Sequence, residues 1–293
     1  MMEETAEVSD FLEVSDLFSR RIDECRVNVD NAISSEIRLF KDSPFFELLT
    51  YALTGGKRLR PILLLLAFQS VGGSEKDPFP AAVAIELIHS CSLVIDDIID
   101  EDLTRRDVAA FHSSYGLKIS LLNAEMLVSI MLDMTARCSD PRVTHALAQA
   151  VSSLGIGTFE ELAVYRRKQP IGIREYIRIL KKKTASIFEA SAKMGALLAG
   201  AQENEINALC DYGRLLGLAY QIEDDLADRE DDLSRDLSSY LRGKSKDEFY
   251  LRELSTSYIA EAKQRLQELK SSEAKSLLFK LADTIAKRPL TGP

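Results

Sequence analysis

Three aspartates lie inside an otherwise apolar helical segment, residues 86–106, which reads ELIHSCSLVIDDIIDEDLTRR. In a helix, Asp100 falls one turn after Asp96 and Asp97, so the three carboxylates share one face. His89 lies two turns before Asp96 and points broadly the same way. Carboxylates this close repel each other and weaken a helix, so the cluster requires a counter-charge. A hard divalent cation is the natural one.

Composition limits the classes of partner. The chain has 293 residues, of which 46% are hydrophobic, and this is enough for a sizeable core. Its 46 acidic residues outnumber its 37 basic residues, which gives a formal net charge of −9. Nucleic acid is therefore not expected as a partner, because phosphate binding normally requires a basic face. An anionic substrate would need local basic residues or metal ions.

Cysteine usage and the N-terminus bear on the compartment. Cys25, Cys91, Cys138 and Cys210 are scattered and form no CxxC pair, which favours reduced thiols over disulfides or zinc. The first ten residues are acidic and lack the apolar core of a signal peptide. The longest apolar run, residues 61–68, is too short to cross a bilayer. We expect a cytoplasmic protein without a membrane span.

Helical periodicity extends along the whole chain. In residues 11–40 the apolar side chains recur mostly every three to five positions, and several later segments repeat this pattern. Val, Ile and Thr do not form alternating blocks, so no segment is predicted as a strand. The fold is predicted to be all-α. We expect one domain over residues 1–293, with residues 1–9 frayed.

A second acidic motif, QIEDDLAD at residues 221–228, repeats the spacing of the first, with Asp224, Asp225 and Asp228 in the corresponding places. One such motif is weak evidence, because acidic runs are common on solvated helix faces. Two motifs with the same spacing, each preceded by an apolar helix, indicate one metal site between facing helices. The di-iron proteins built on helical bundles need two Glu-x-x-His pairs, whereas this sequence contains one, Glu86-x-x-His89.

The type of ligand predicts the metal and the substrate. Carboxylates without His or Cys favour Mg²⁺ or Mn²⁺ over zinc. Magnesium usually completes its coordination with water and substrate phosphate. Lys57 and Arg60 lie where the glycine pair of TGGKRLRP meets a helix N-terminus, which favours an anion. This segment lacks the spacing of a nucleotide P-loop, and by itself it is also compatible with two solvated bases.

From about residue 48 to residue 246 the chain resembles the trans-isoprenyl diphosphate synthases. The joint order and spacing of the motifs carry the resemblance, since each motif alone is unspecific. The matching segments are GGKRLRP (55–61), ELIHSCSLVIDDIID (86–100), Arg105-Arg106, His112-x-x-Tyr115-Gly116, Lys183-Thr184 and GLAYQIEDDLAD (217–228).

The resemblance implies an isoprenoid synthase bundle around a deep central cavity, acting as a homodimer. It implies Mg²⁺-dependent head-to-tail condensation of isopentenyl diphosphate with an allylic diphosphate to give a trans-prenyl diphosphate. The implied metal ligands are Asp96, Asp100 and Asp224, with acidic walls completed by Asp97, Asp225 and Asp228. The implied isopentenyl diphosphate ligands are Lys57, Arg60, His89 and Arg106. The implied ligands of the allylic diphosphate are Arg105, Lys183 and Lys244, and Thr184 and Gln221 line the reacting centre.

Small residues precede the first motif. In this family an aromatic residue four or five positions before the first aspartate limits product length. Here those positions hold Ser92 and Cys91, and Ile88 lies one turn further back. We therefore predict a product of geranylgeranyl length or longer, although small residues also suit helix packing. The pocket beneath should be open unless the neighbouring helix closes it through Leu121, Leu122 or Met126.

The region after Asp228 departs from the family pattern. It is short and retains one Gly-Lys pair, Gly243-Lys244, so one expected lysine is missing and Arg229 or Arg235 is its candidate substitute. Two alternatives follow. A class I terpene cyclase would normally replace the second DDxxD motif and lack GGKRxR. A weakly active or regulatory subunit of a heteromeric synthase typically loses acidic residues, yet all six are present.

Overall fold

The computed structural model of the chain describes residues 2–74, 76–106, 108–228, 237–241 and 244–286, and it leaves out the side chains of 2–16, 228 and 244–247. Within these ranges the chain is mainly helical, which confirms the predicted all-α fold. The helices are α1 (Met2–Ile37), α2 (Phe45–Leu53), α3 (Leu59–Ser70), α4 (Phe79–Asp100), α5 (Phe111–Tyr115), α6 (Leu117–Ala136), α7 (Pro141–Arg167), α8 (Ile173–Leu180), α9 (Ser186–Ala199), α10 (Glu203–Asp228), α11 (Lys244–Arg265) and α12 (Glu273–Ala286).

Short elements connect some of these helices. Arg38–Phe40, Leu237–Tyr240 and Leu266–Glu268 form 3₁₀ turns. A two-stranded antiparallel hairpin, β1 (Thr104–Arg105) with β2 (Val108–Ala109), follows the first acidic motif. The sequence did not predict this hairpin, because two residues per strand are too few to produce an alternating pattern.

Helix α1 extends to the N-terminal end of the described residues. The backbone is helical from Met2, and the fraying of residues 1–9 stays a prediction. The segment Met2–Ile37 contains no Gly or Pro, so nothing in it interrupts helical hydrogen bonding.

Helix α9 lies at the centre of the bundle, where it packs against α3, α7 and α10. Small residues permit these contacts: a Cβ atom on Gly195 would lie 2.3 Å from the carbonyl oxygen of Leu64 on α3. A Cβ atom on Gly217 of α10 would lie 2.8 Å from Cα of Ala185. The α9 residue Phe188 is fully buried, and burial of a side chain of this size contributes about 1.5–3 kcal/mol.

A π-helical turn, Lys181–Ala185, joins α8 to α9 without a break in the backbone. Inserted π turns are rare and occur frequently at functional sites. From this turn Lys183 contacts Glu161 on α7, and Thr184 contacts Gln221 on α10. The turn therefore presents two of the predicted site residues to the helices on either side.

Helix α6 is the one helix of the described ranges that is long and apolar enough, by length and composition alone, to cross a membrane. Its apolar stretch is 44% buried, and it packs along α4. A core helix of a globular protein meets the same criterion. Several of its apolar side chains are half exposed, among them Leu121, Leu122 and Leu132.

Candidate active site

The first acidic motif occupies the last turn of α4, which ends where Glu101 takes a left-handed conformation (φ +58°). Asp97 is buried, and its carboxylate accepts hydrogen bonds from Arg105 in β1. Asp96 lies 3.7 Å from the ammonium nitrogen of Lys183. Loss of water raises the pKa of all three aspartates, and that of Asp100 reaches about 6. In the folded chain Arg105 and Lys183 supply the positive charge next to these carboxylates.

The second acidic motif lies at the end of α10. Asp225 is buried and accepts hydrogen bonds from the hydroxyl of Tyr176 (2.6 Å) and from Nε2 of Gln221 (2.7 Å). Oε1 of Gln221 in turn accepts a hydrogen bond from Thr184 (2.9 Å). Protein donors therefore hold Asp225 in place. Asp224 is half-buried, and the side chain of Asp228 lies outside the described residues.

A basic group expected to bind isopentenyl diphosphate is assembled from three segments. Nη1 of Arg60 donates to Nε2 of His89 at 3.0 Å, so the proton of the neutral imidazole is on Nδ1. Burial and the neighbouring arginines hold the pKa of His89 well below its usual value. The Arg60 guanidinium also lies 4.9 Å from the centre of the Phe188 ring, within cation–π range.

Arg106 and the glycine loop complete this basic group. Gly56 has a φ of +99°, which favours glycine, and a Cβ atom there would lie 2.9 Å from Nη1 of Arg106 and displace the guanidinium. Lys57, the next residue of the loop, is exposed. Burial lowers the pKa of Arg60, and negative charge that includes Asp224 of α10 partly opposes this shift. The structure therefore brings Arg60, His89 and Arg106 together beside the glycine loop that carries Lys57.

Sequence reasoning missed the buried ion pair that shapes the glycine loop. Arg58 adopts a left-handed conformation (φ +51°) and binds Glu86 at 2.7 Å and Asp30 at 2.8 Å, in addition to the carbonyl of Leu53. Arg58 is 5% exposed and Glu86 is 2% exposed. Each carboxylate is 28 positions away from Arg58 in the sequence, so no local pattern signals the pair.

The residues expected to bind the allylic diphosphate are paired with carboxylates. Lys183 forms an ion pair with Glu161, another residue that the sequence did not single out. Burial opposes the charge on Lys183, but Glu161, Asp96 and Asp100 outweigh this effect and raise its pKa. Arg105 binds Asp97. The side chain of Lys244, at the start of α11, lies outside the described residues, as do Arg229 and Arg235.

These residues fit a magnesium-type cation. Within the described ranges no three Asp, Glu, His or Cys side chains form a ready metal cluster. Mg²⁺ usually takes only one or two protein carboxylates, and Asp96 and Asp100, one helical turn apart, provide such a pair. The candidate ligands of both motifs are oxygen atoms only, which are the ligands preferred by Mg²⁺ and Mn²⁺.

The positions predicted to set chain length lie on α4, which packs against α6. Ile88, Cys91 and Ser92 are all less than 9% exposed. Sγ of Cys91 lies 3.7 Å from the carbonyl oxygen of Ala124. The sequence suggested Leu121 and Leu122 as residues that close the pocket. Their side chains are 56% and 50% exposed, so both face outward. The contact with Cys91 comes instead from small Ala124, and Met126 is partly buried against the core.

Known proteins are similar to this chain in sequence and in fold. Residues 43–237 match the family model for polyprenyl synthetase. The chain is 29% identical to a geranylgeranyl diphosphate synthase of Methanosarcina mazei, with 89% of this chain and 95% of that protein covered. It is 30% identical to a geranylfarnesyl diphosphate synthase of Natronomonas pharaonis, with coverage of 91% and 96%.

Among solved structures, the crystal structure of the geranylgeranyl pyrophosphate synthetase from Pyrococcus horikoshii is similar over 94% of this chain and all of that chain. The TM-score is 0.84 and the sequence identity is 28%. The resemblance that the motifs predicted is therefore confirmed. The chain belongs to the polyprenyl synthetase family.

Proposed function

We propose that the protein condenses isopentenyl diphosphate head-to-tail with an allylic diphosphate and releases a trans-prenyl diphosphate of geranylgeranyl length or longer. The observation that carries this proposal is the presence of two separate basic groups next to the two acidic motifs. Arg60 and His89 belong to one group, and Lys183 and Arg105 to the other. Relatives named geranylgeranyl and geranylfarnesyl diphosphate synthases support the same reaction.

Isopentenyl diphosphate would bind to the first group, made up of Lys57, Arg60, His89 and Arg106. Guanidinium groups form strong paired hydrogen bonds with phosphate oxygens. The neutral His89 can add one donor, its Nδ1–H, without adding to the repulsion between the arginines. The Arg58–Glu86 pair would hold the loop from which Lys57 extends.

The allylic diphosphate would bind to Lys183, Arg105 and Lys244 between the two acidic motifs. Asp96, Asp100 and Asp224 are the proposed metal ligands, with Asp97, Asp225 and Asp228 around them. Mg²⁺, or Mn²⁺ in its place, would supply positive charge that stabilises the leaving diphosphate. Lys183 and Arg105 would bind the same oxygens through charge-assisted hydrogen bonds.

In the proposed chemistry, the C–O bond of the allylic substrate breaks, and its electron pair leaves with the diphosphate. The double bond of isopentenyl diphosphate then attacks the allylic cation and forms a new C–C bond. The departed diphosphate takes a proton from the resulting cation, which gives a product five carbons longer. Thr184 and Gln221 would line this centre, where the hydrogen bond from Thr184 orients the Gln221 amide so that it donates to Asp225. The apolar helix walls would exclude water from the cation.

The chain-length proposal rests on residues beneath the first motif. Cys91 and Ser92 are small, and small Ala124 is the contact on the facing helix. Ile88 is the next larger side chain in this direction along α4. The growing chain would therefore pass the position at which an aromatic side chain stops it in shorter-chain enzymes of the family.

The assembly and compartment are also part of the proposal. Helices α6 and α7 expose large apolar side chains that a second copy of the chain would bury: Leu117, Leu121, Leu122, Leu132, Ile156 and Phe159. We expect a homodimer in the cytoplasm, where the four free cysteines stay reduced. Analytical ultracentrifugation should show a dimer, and Leu121→Arg should shift it toward the monomer.

The test of the reaction is a product assay. The protein is mixed with Mg²⁺, isopentenyl diphosphate and, in separate reactions, dimethylallyl, geranyl or farnesyl diphosphate, and the products are sized by chromatography. We expect products of twenty carbons or more, and none in EDTA. Release of a hydrocarbon from one allylic substrate would indicate a cyclase. No elongation by the folded protein would indicate a regulatory subunit.

A further inference from the structure

Two neighbouring glutamates of α7 each pair with a lysine of the π turn. Glu160 binds Lys182 at 2.6 Å. Glu161 binds Lys183 through Oε2, while its Oε1 accepts a hydrogen bond from Tyr165 at 3.1 Å. Both oxygen atoms of Glu161 are therefore held, and the residue is only 9% exposed. A carboxylate with both oxygens bonded keeps one orientation and can fix the position of its partner.

Close packing of α7 on the π turn makes the second pair possible. A Cβ atom on Gly157, one turn before Glu161, would lie 2.5 Å from the backbone nitrogen of Lys183. The absence of a side chain at Gly157 thus brings the two backbones together. Glu161 then meets Lys183 from the same face of α7.

The two pairs differ in their surroundings. The ammonium nitrogen of Lys183 lies 3.7 Å from Asp96, and Asp100 also favours its positive charge. Three carboxylates therefore act on one ammonium group, and Glu161 makes the direct ion pair. The distance to Asp96 exceeds that of an ordinary N–H···O hydrogen bond. Glu160, by contrast, binds Arg178 at 2.6 Å as well as Lys182.

Removal of the charge on Glu161 would change the balance among these carboxylates. Asp96 and Asp100 would become the strongest remaining counter-charges for Lys183. An ammonium group that moved onto them would compete with a divalent cation for the same oxygen atoms. Glu161 thus draws Lys183 to one side of the first motif.

We propose that Glu161 is a positioning residue that holds Lys183 beside Asp96 and keeps the metal-binding carboxylates of α4 open to a divalent cation. This inference rests on the proposed function of the aspartates. Because Glu161 acts through Lys183, its effect should appear in metal binding before any turnover occurs. It should also depend on the lysine being present.

The experiment measures Mg²⁺ binding to the full chain by calorimetry without substrates. The variants are Glu161→Gln, Glu160→Gln, Glu161→Asp, Lys183→Met and the double variant Glu161→Gln with Lys183→Met. We expect Glu161→Gln to weaken Mg²⁺ binding by about tenfold, which is the effect of one charge pair worth roughly 1.4 kcal/mol. Glu160→Gln is the matched control and should change the Mg²⁺ affinity by less than about twofold. The melting temperature verifies that each variant is folded.

The double variant separates positioning from direct ligation. We expect it to recover the Mg²⁺ affinity of the unsubstituted protein, because the competing ammonium is gone. Glu161→Asp keeps the charge and should retain most of the affinity. Unchanged binding in Glu161→Gln would overturn the inference, as would a double variant as weak as Glu161→Gln, which would make Glu161 itself a metal contact.

The same experiment distinguishes failure of the inference from failure of the proposed function. A protein that binds Mg²⁺ and elongates isopentenyl diphosphate, but is indifferent to Glu161→Gln, would refute only the inference. A folded protein that neither binds Mg²⁺ nor elongates would refute both.

Discussion

The ammonium nitrogen of Lys183 lies 3.7 Å from the carboxylate of Asp96, across the space between the π turn and α4. Arg105 forms a corresponding pair with Asp97 on the same helix end. Two bases proposed to bind the allylic diphosphate are therefore paired with carboxylates of the first motif. These bases and carboxylates therefore neutralise one another before ligands bind. In the proposed reaction the carboxylates exchange the bases for metal ions, and the bases exchange the carboxylates for diphosphate.

Asp96 should be indispensable for turnover. Replacement by Asn keeps the size of the side chain but removes a proposed metal ligand charge, and kcat should fall about 10²–10³-fold. Steady-state kinetics at saturating Mg²⁺ would measure this. Glu101→Gln is the control, because it removes a charge just after α4 without touching the motif. Equal activity of the two variants would contradict the assignment.

Metal binding should depend on pH through Asp100. Its pKa is raised from 3.8 to about 6, so the folded protein holds this proton more tightly than the unfolded chain. Mg²⁺ affinity should therefore fall as the pH decreases through about 6. Without metal, protonation of Asp100 stabilises the folded protein, and this stabilisation is lost as the pH rises from 3.8 to about 6. Calorimetry across this range should show the dependence in the unsubstituted protein and a weaker one in Asp100→Asn.

Glu86 should matter far more for stability than Asp30, although both bind Arg58. The side chains of Arg58 and Glu86 are 5% and 3% exposed, whereas that of Asp30 is 47% exposed. Glu86→Gln leaves a buried guanidinium without its main counter-charge and should lower the free energy of unfolding by about 3–5 kcal/mol. Asp30→Asn should lower it by at most about 1 kcal/mol. Urea denaturation would compare them, and equal losses would refute the argument from burial.

Arg60 should discriminate between the two substrates. Arg60→Met removes charge-assisted hydrogen bonds worth about 1.5–3 kcal/mol, which corresponds to a roughly ten- to hundredfold rise in KM for isopentenyl diphosphate. The KM for the allylic substrate serves as the internal control and should change little. A larger effect on the KM for the allylic substrate would show that Arg60 binds the allylic diphosphate instead.

Product length should respond to a bulky residue at position 91. Cys91→Phe places a ring against Ala124, in the path proposed for the growing chain, and should shift the main product to fifteen carbons. Leu39→Phe enlarges an exposed side chain outside α4 and α6 and should leave the product unchanged. Chromatography of the dephosphorylated products measures the length. The same long product from both variants would show that the chain follows another path.

Some of the site could be predicted because its signals are local. Asp96, Asp97 and Asp100 share a helix face because they lie within one turn, and the same spacing recurs at Asp224 and Asp225. The loop-to-helix junction that holds Lys57 was visible in adjacent glycines. These patterns depend only on helix geometry and on neighbours within a few residues.

Other features became apparent only in three dimensions. Arg58 finds Glu86 from 28 positions away, and Lys183 finds Glu161 from 22 positions away. The small contact of Cys91 with Ala124, rather than with Leu121, depends on the rotation of α6 about its axis.

The sequence by itself determined the helical class, the paired acidic motifs and, through their order along the chain, the family. The tertiary structure alone decided which base neutralises which carboxylate and which helix face borders the chain-length positions. The physical reason is that helix periodicity is a property of neighbouring residues. Ion pairing and burial depend on distances and on loss of water, and these are set only when helices far apart in the chain pack together.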